Sequence, residues 1–567
     1  ADALAPENTL TLAAGVVTGA PISGQSRLAA VAKSPQTGGI GDSQSGGFFP
    51  AELKFAGFDA IVAHGKAESP VYLWIKDGVP ELRPAEHLWG KDTGEVEDLL
   101  KAELDDAKVQ ILQTGIAGEN GVHFSALISM ANRANGRTGM GSVMASKNLK
   151  AVAVRGKQRP ELADKKGLNE HARWGSKNFP DSDIFGMGLY GTAEVVGPQN
   201  EGGGLPTLNW SSGVFDGWEK ISGETMAETI LKERDTCYAC TVRCKRVVET
   251  EQVNPRFGGP EYETIATFGS YCGVDDLEAI AQANQLCNLY GMDTISCGAT
   301  IAWAMDAFER GLISAEDTDG LDLRFGNAQA MVAMVEKIAR REGFGDVLAR
   351  GSANAAQIIG RGTEDLVVAT KKQEAPAHMP QVKRSLGLIY AVNAFGADHQ
   401  SSEHDPSYEW YPERMAEIGL TDPQPADNMN EEKVKFALIT QQLYSALDSV
   451  GMCQFVFGPS WHLYGPTQLA EAVQLITGWN VTVDELLEVG ERRLNLMRLF
   501  NANAGFTRDD DKLPKKFYQA LKGGPSDGVK LTVEELETAK DVYYKMSGWD
   551  AKSGNPGEAK LAELGIS

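Results

Sequence analysis

The sequence predicts an α+β protein: a β-rich domain over residues 1–157, then two mainly helical domains over 158–370 and 371–567. Two observations carry this. Short apolar runs punctuated by glycine and turn residues fill the first part, whereas beyond about 275 apolar residues recur at helical spacing. The chain's 567 residues suffice for about three domains, and it contains no internal repeat or low-complexity tract.

The N-terminal strands are read from Leu10–Val17, Leu28–Ala32, and a hairpin in which Lys76-Asp77-Gly78 joins Val71–Ile75 to Val79–Leu82. Ser34–Gly47 has five glycines and no period, which predicts a loop whose N–H groups can wrap a ligand. Ala131–Lys147 holds Arg133 and Arg137 among small residues, forks suited to phosphate or a planar heterocycle. It is neither a Walker loop nor a clean G-x-G-x-x-G. Residues 158–236 read as helical, the last helix running through Glu224–Arg234. In Gly258-Gly-Pro-Glu261-Tyr-Glu263 an extended backbone would point both carboxylates the same way; surface charge is the plain alternative.

A helix from Leu277 stops at Gly291, and Asp293 caps a second that ends at Gly311. Cys272, Cys287 and Cys297 lie on apolar faces and read as core thiols. Helices follow at 328–340 and 344–359, then an irregular stretch, 371–406, with His378, His399 and His404. Pro406 and the Gly/Ser content there speak against a helical zinc-protease motif. Further helices are expected at 431–446 and beyond 467, with 505–530 a mobile surface connection.

A net charge of -23 argues against nucleic-acid binding, and no apolar run is long enough to span a membrane. Seven cysteines, an odd number in a long chain, fit a reducing, cytoplasmic compartment. The chain carries no initiator Met and reads as beginning inside a domain.

The chemistry concentrates in Cys237-Tyr-Ala-Cys240-Thr-Val-Arg-Cys244, whose spacing lets three thiolates converge on one iron–sulfur cluster or zinc ion. Both normally take four ligands, and Cys453, closing Asp448-Ser-Val-Gly-Met452-Cys453, is the only cysteine outside 237–297. There the carboxylate could accept from a heterocycle's N–H groups while the thiolate ligates a cluster. Arg243, Lys245 and Arg246 surround Cys244, either offsetting cluster charge or forming a docking patch for an acidic electron carrier.

With these motifs in this order, the chain resembles the tungsten-containing aldehyde:ferredoxin oxidoreductases along its whole length. The resemblance implies a [4Fe-4S] cluster on Cys237, Cys240, Cys244 and Cys453, beside a tungsten bis-pterin whose dithiolenes hold the metal, in the β-rich domain. It assigns the pterins to Arg27, Gln44, Gly46, Arg133, Ala134, Gly136, Arg137, Asp293, Asp448 and Met452, with Mg2+ bridging their phosphates. Glu261 or Glu263, with His399, supplies the acid–base groups. Gln44 stands where an asparagine is common, and Ser401 where a basic residue is expected. Cys287-Asn-Leu-Tyr290 replaces an E-x-x-H iron motif, so no such iron is expected. The implied activity is aldehyde oxidation, with ferredoxin or an Fe–S/flavin subunit taking the electrons and the chain working in an oligomer or multi-subunit complex. Two alternatives stay open: the catalytic subunit of an aryl-CoA reductase, and a non-catalytic Fe–S electron-transfer subunit.

Overall fold

The computed structural model describes residues 2–566. The N-terminal part holds two sheets. Leu10–Ala14 (β1), Leu28–Lys33 (β2), Ile40–Ser45 (β3) and Ala60–Ala63 (β4) form an antiparallel sheet ordered β3-β2-β1-β4. Leu28, Ala30 and Ala32 alternate inward, as the twofold period of a strand with one buried face requires.

The second sheet comprises Val71–Lys76 (β5), Val79–Pro84 (β6), Gln110–Thr114 (β7), Leu127–Ser129 (β8), Arg133–Asn135 (β9) and Leu149–Arg155 (β10). Its order is β6-β5-β10-β7-β8-β9, with β5 and β10 parallel and the other neighbours antiparallel. The β5–β6 hairpin turns at Asp77 and Gly78, φ 47° and 88°, the paired left-handed geometry whose twist suits a two-residue hairpin.

Beyond residue 160 the chain is mainly helical, so the α+β class holds. Several local expectations do not. The glycine-rich stretch 34–47 is half strand, because pairing with β2 supplies the backbone partners that its sequence period conceals. The helix through Glu224–Arg234 ends at Thr229, and Leu231–Asp235 pairs instead with Lys245–Val248 as a hairpin carrying the cysteine loop. The single helix at 344–359 is two, Phe344–Leu348 and Ser352–Ile359, parted by Gly351 at φ +82°. The irregular stretch 371–406 contains the helix Arg384–Val392.

The segment 505–530 is not a mobile surface connection. Leu513, Phe517 and Leu521 are buried, and Asp511, fully enclosed, takes both Arg498 Nη atoms at 2.7 and 2.8 Å and Lys371 Nζ at 2.7 Å. Three charges burying one another tie this segment to the helix Val483–Asn503.

The helical parts interlock. Leu386, Tyr390, Leu513 and Leu531 pack in the same core as Val196, Ile265 and Met334, while Leu168 and Ile184 join Phe436 and Leu463 in another. The sheets dock on two helix ends by backbone contact. A Cβ on Gly15 would lie 1.9 Å from the Val450 carbonyl oxygen, and one on Gly115 2.1 Å from that of Tyr290. Each contact seats a long helix, Glu431–Val450 or Leu277–Tyr290, just before its closing glycine, Gly451 or Gly291.

Asp511→Ala leaves Arg498 and Lys371 buried without their counterion. It should cost about 3–5 kcal/mol, read as a lowered midpoint in chemical denaturation; an unchanged midpoint contradicts the buried triad.

Candidate active site

The three parts of the chain meet around a cavity of about 800 Å³. Its walls include Cys237, Cys240, Cys244 and Cys453 as well as Glu263, His378 and His399.

At the thiol end, Ala239 and Arg243 take left-handed φ values of 57° and 54° that curl the loop on itself. Gly47 N–H donates to Cys237 Sγ at 3.1 Å, and a Cβ on Gly46 would sit 2.7 Å from that sulfur, so only glycine allows the approach. From the other side, Cys453 N–H donates to Gly24 O at 2.7 Å, seating the second motif beside the loop. All four thiols are free. Burial pushes Cys240 up to about 12, with Cys237 and Cys453 adding their repulsion, and Cys244 is raised the same way. Cys453 is raised by burial as well, and thiols held neutral in this way suit a site where a cation would take up their charge.

The three basic residues around Cys244 do not form a surface patch. Arg246 is buried and donates to the carbonyls of Gly188, Leu189 and Arg243, and Lys245 pairs with Glu261 at 3.1 Å. Only Arg243 of the three is exposed.

Between the two ends the cavity wall carries buried polar atoms with no hydrogen-bond partner, among them Arg27 Nε, Arg137 Nε and Gln44 Oε1. Unsatisfied groups facing one cavity mark the place of a polar ligand. Arg137 is held by the carbonyls of Ala397 (2.8 Å) and Glu374, its Nε 3.5 Å from Asp293. Asp293 also accepts from Ile295 and Ser296 N–H as the cap of its helix, and a Cβ on Gly136 would meet its Oδ1 at 3.5 Å. Burial pushes Asp448 up to about 7 against the pull of Arg493, whose guanidinium lies 2.7 Å from Asp42 and 3.5 Å from Asp448.

Arg133 lines the cavity and is also tied to the protein, while Met452 is packed in a core. Arg133 donates to Asp235 (3.0 Å) and Thr236 O (2.9 Å), tying β9 to the cysteine hairpin, while Ala134 beside it lines the cavity. The Met452 side chain is fully buried in an apolar core, so its packing positions the motif.

The acid–base end separates the two glutamates. Glu261 precedes the helix Tyr262–Phe268 and Glu263 lies in its first turn, so they diverge instead of sharing a strand face. Burial opposes charge on Glu261, but Lys245 and Thr192 outweigh it and hold the carboxyl below its usual range. Glu263 instead turns to the histidines: Oε2 accepts from Ala377 N–H at 2.8 Å, and Oε1 lies 3.3 Å from His378 Nε2 and 3.4 Å from His399 Nε2. Burial pushes it up to about 8, and burial keeps both imidazoles well below their ordinary value and so neutral. Ser401 donates to Asp398 at 2.7 Å, bracing the loop before His399.

Sequence reading missed His378, Lys383, Asp42, Asp398 and Arg493. His378 stood in the histidine-rich stretch; the others carried no local signal.

A buried acid–base cluster and four free thiols lining one cavity are the equipment of a redox enzyme that holds a cofactor. Comparison with known proteins specifies it. Residues 1–156 match the family model for the N-terminal domain of aldehyde ferredoxin oxidoreductase, and 170–566 that for its domains 2 and 3. The tungsten-containing aldehyde ferredoxin oxidoreductase of Pyrococcus horikoshii is 41% identical, aligned over 100% of this chain and 91% of its own. That of Thermococcus kodakarensis is 39% identical over the same shares. The solved active-site complex BamBC of benzoyl coenzyme A reductase superposes with a TM-score of 0.84 at 24% identity, covering 100% of this chain and 90% of that one, a likeness of fold. The chain belongs to the aldehyde ferredoxin oxidoreductase family.

Gly46→Ala puts a methyl group against Cys237 Sγ. The purified variant should carry less iron per chain than the parent; equal iron content contradicts a metal centre at this sulfur.

Proposed function

We propose that this chain oxidises aldehydes to carboxylic acids, sending the electrons through a [4Fe-4S] cluster on Cys237, Cys240, Cys244 and Cys453 to ferredoxin or an Fe–S partner subunit. The observation that carries this reading is that one cavity is lined both by the Glu263–His399 pair and by all four thiols. Relatives near 40% identity over the whole chain carry that activity in their names.

The unpartnered Arg27 Nε fits a polar, anionic group in the cavity, whose wall Ala134 and Gly136 also line without bulk. A tungsten bis-pterin suits that place, with Asp293 and Asp448 accepting from its ring N–H groups and Gln44 turning its free carbonyl inward. When bound, the metal–pterin group and the cluster supply the two-electron acceptor and the one-electron exit.

The chain's own residues do the proton work. Conversion of an aldehyde and water to a carboxylate releases two electrons and three protons. Glu263 takes a proton from the attacking water or hydrate at its bare Oε1, and a neutral His399 donates Nε2–H to the substrate oxygen as charge gathers there. Glu261, ion-paired with Lys245 and kept as an anion, is not the base in this reading.

The aryl-CoA reductase alternative draws on a likeness of fold at 24% identity, so the aldehyde reading stands ahead of it. An electron-transfer subunit would have no use for the Glu263–His399 pair. No helix among the described residues is long and apolar enough to cross a membrane.

Because the base must be ionised, kcat/KM for an aldehyde should rise with pH through an acid limb near the raised value of about 8. Glu263→Gln should lose about a hundredfold or more in kcat with metal content kept, and Glu261→Gln much less. Full activity in Glu263→Gln overturns the base assignment.

A further inference from the structure

His378 has a defined chemical state, and its neighbours set it. Its Nδ1 faces Lys383 Nζ at 3.0 Å and Gln199 Nε2 at 3.4 Å. An ammonium has hydrogens to give and no lone pair, so the Nδ1 it meets must accept. The ring proton of a neutral imidazole then sits on Nε2, the atom 3.3 Å from the bare Oε1 of Glu263. We propose that His378 is a positioning residue for the reaction: an imidazole locked by Lys383 as the Nε2–H tautomer, which aims that hydrogen at Glu263 and fixes where its carboxylate points.

Lys383 reaches further than this one ring. Its Nζ also lies 3.3 Å from His404 Nδ1, so His404 is held in the same tautomer and gives Nε2–H to the His399 carbonyl at 2.8 Å. The His378 ring stacks on that of His399 at 5.0 Å and 13°. One ammonium thus orients the carboxylate through His378 and the backbone of His399 through His404. Lys383 is buried and forms no ion pair among the described residues; Asp405, Glu403 and Glu263 supply the negative field. Burial brings it down to about 8, which leaves it mostly an ammonium at neutral pH.

Ala377 N–H holds Oε2, and His378 Nε2 stands 3.3 Å from the unpartnered Oε1, within reach of a bond once the carboxylate turns to it. The bond at Oε2 favours the ionised form against burial, and a donor at Oε1 acts in the same direction. The other titratable and charged groups around Glu263 include His399, Arg137, Lys383, Asp398, Asp293, Tyr262, Tyr271 and Tyr390.

This inference rests on Glu263 being the base, and the test separates the two. In the metal-loaded enzyme, His378→Phe should lower kcat about tenfold or more, leave KM nearly unchanged, and move the acid limb of kcat/KM to higher pH. The direction follows because a carboxylate that loses a donor ionises less readily. Lys383→Met should move the limb the same way and Lys383→Arg should largely restore it. Since Lys383 acts mainly through His378, with a smaller direct charge effect on Glu263, the shift in the double variant His378→Phe/Lys383→Met should fall short of the sum of the two. Should His378→Phe fail to fold or to load metal, the Lys383→Met and Lys383→Arg pair and His378→Gln decide the question in its place. An acid limb that stays at the parent pH in both His378 and Lys383 variants overturns the proposal while Glu263→Gln stays inactive. An active Glu263→Gln overturns the base assignment instead.

Discussion

Glu263 is buried at the junction of all three parts of the chain, its second oxygen facing two neutral imidazoles. A carboxylate so placed is costly unless its surroundings are organised to meet it. The structure answers with a backbone N–H from Ala377 and with imidazoles braced from behind by Lys383 and the loop holding Asp398. Further along the cavity the same problem recurs with Asp448, Asp42 and Asp398, against which Arg493, Arg137 and Arg27 are set. Buried charge is balanced around a hollow, not within a packed core, which is what a large polar cofactor requires.

That hollow depends on where two helices stop. Leu277–Tyr290 and Glu431–Val450 both end at a left-handed glycine followed by a methionine, with Asp293 and Cys453 next. Gly15 and Gly115 bring the N-terminal part against those two ends at backbone contact. Side-chain-free contact fixes the distance between sheet and helix end more firmly than interdigitated side chains can. It sets Asp293 and Asp448–Cys453 on the wall that the N-terminal residues Arg27, Gln44 and Gly46 also line. The cysteine hairpin closes the remaining side, tied down by Arg133.

Much of this was legible because the signals were local. Asp293 announced a cap and Gly291 a stop, and the structure has both. The expectations that failed depended on partners distant in sequence. Residues 34–47 and 231–235 become strands only through neighbours that supply their hydrogen bonds, and 505–530 is ordered by Arg498 and Lys371. For the basic residues around Cys244 the sequence left charge compensation and a docking patch both open, because it does not reveal that Arg246 turns inward to three carbonyls. Glu261 and Glu263 were indistinguishable until a helix start separated them. His378 and Lys383 had no motif; their roles arise from which atoms face which.

In the proposed function one cavity holds both a metal–pterin centre and a thiolate-bound cluster. Metal analysis of protein purified without oxygen tests it most directly. The expected result is about one tungsten or molybdenum and about four iron atoms per chain, with the iron lost in Cys453→Ser. Iron alone, with neither tungsten nor molybdenum, would contradict it.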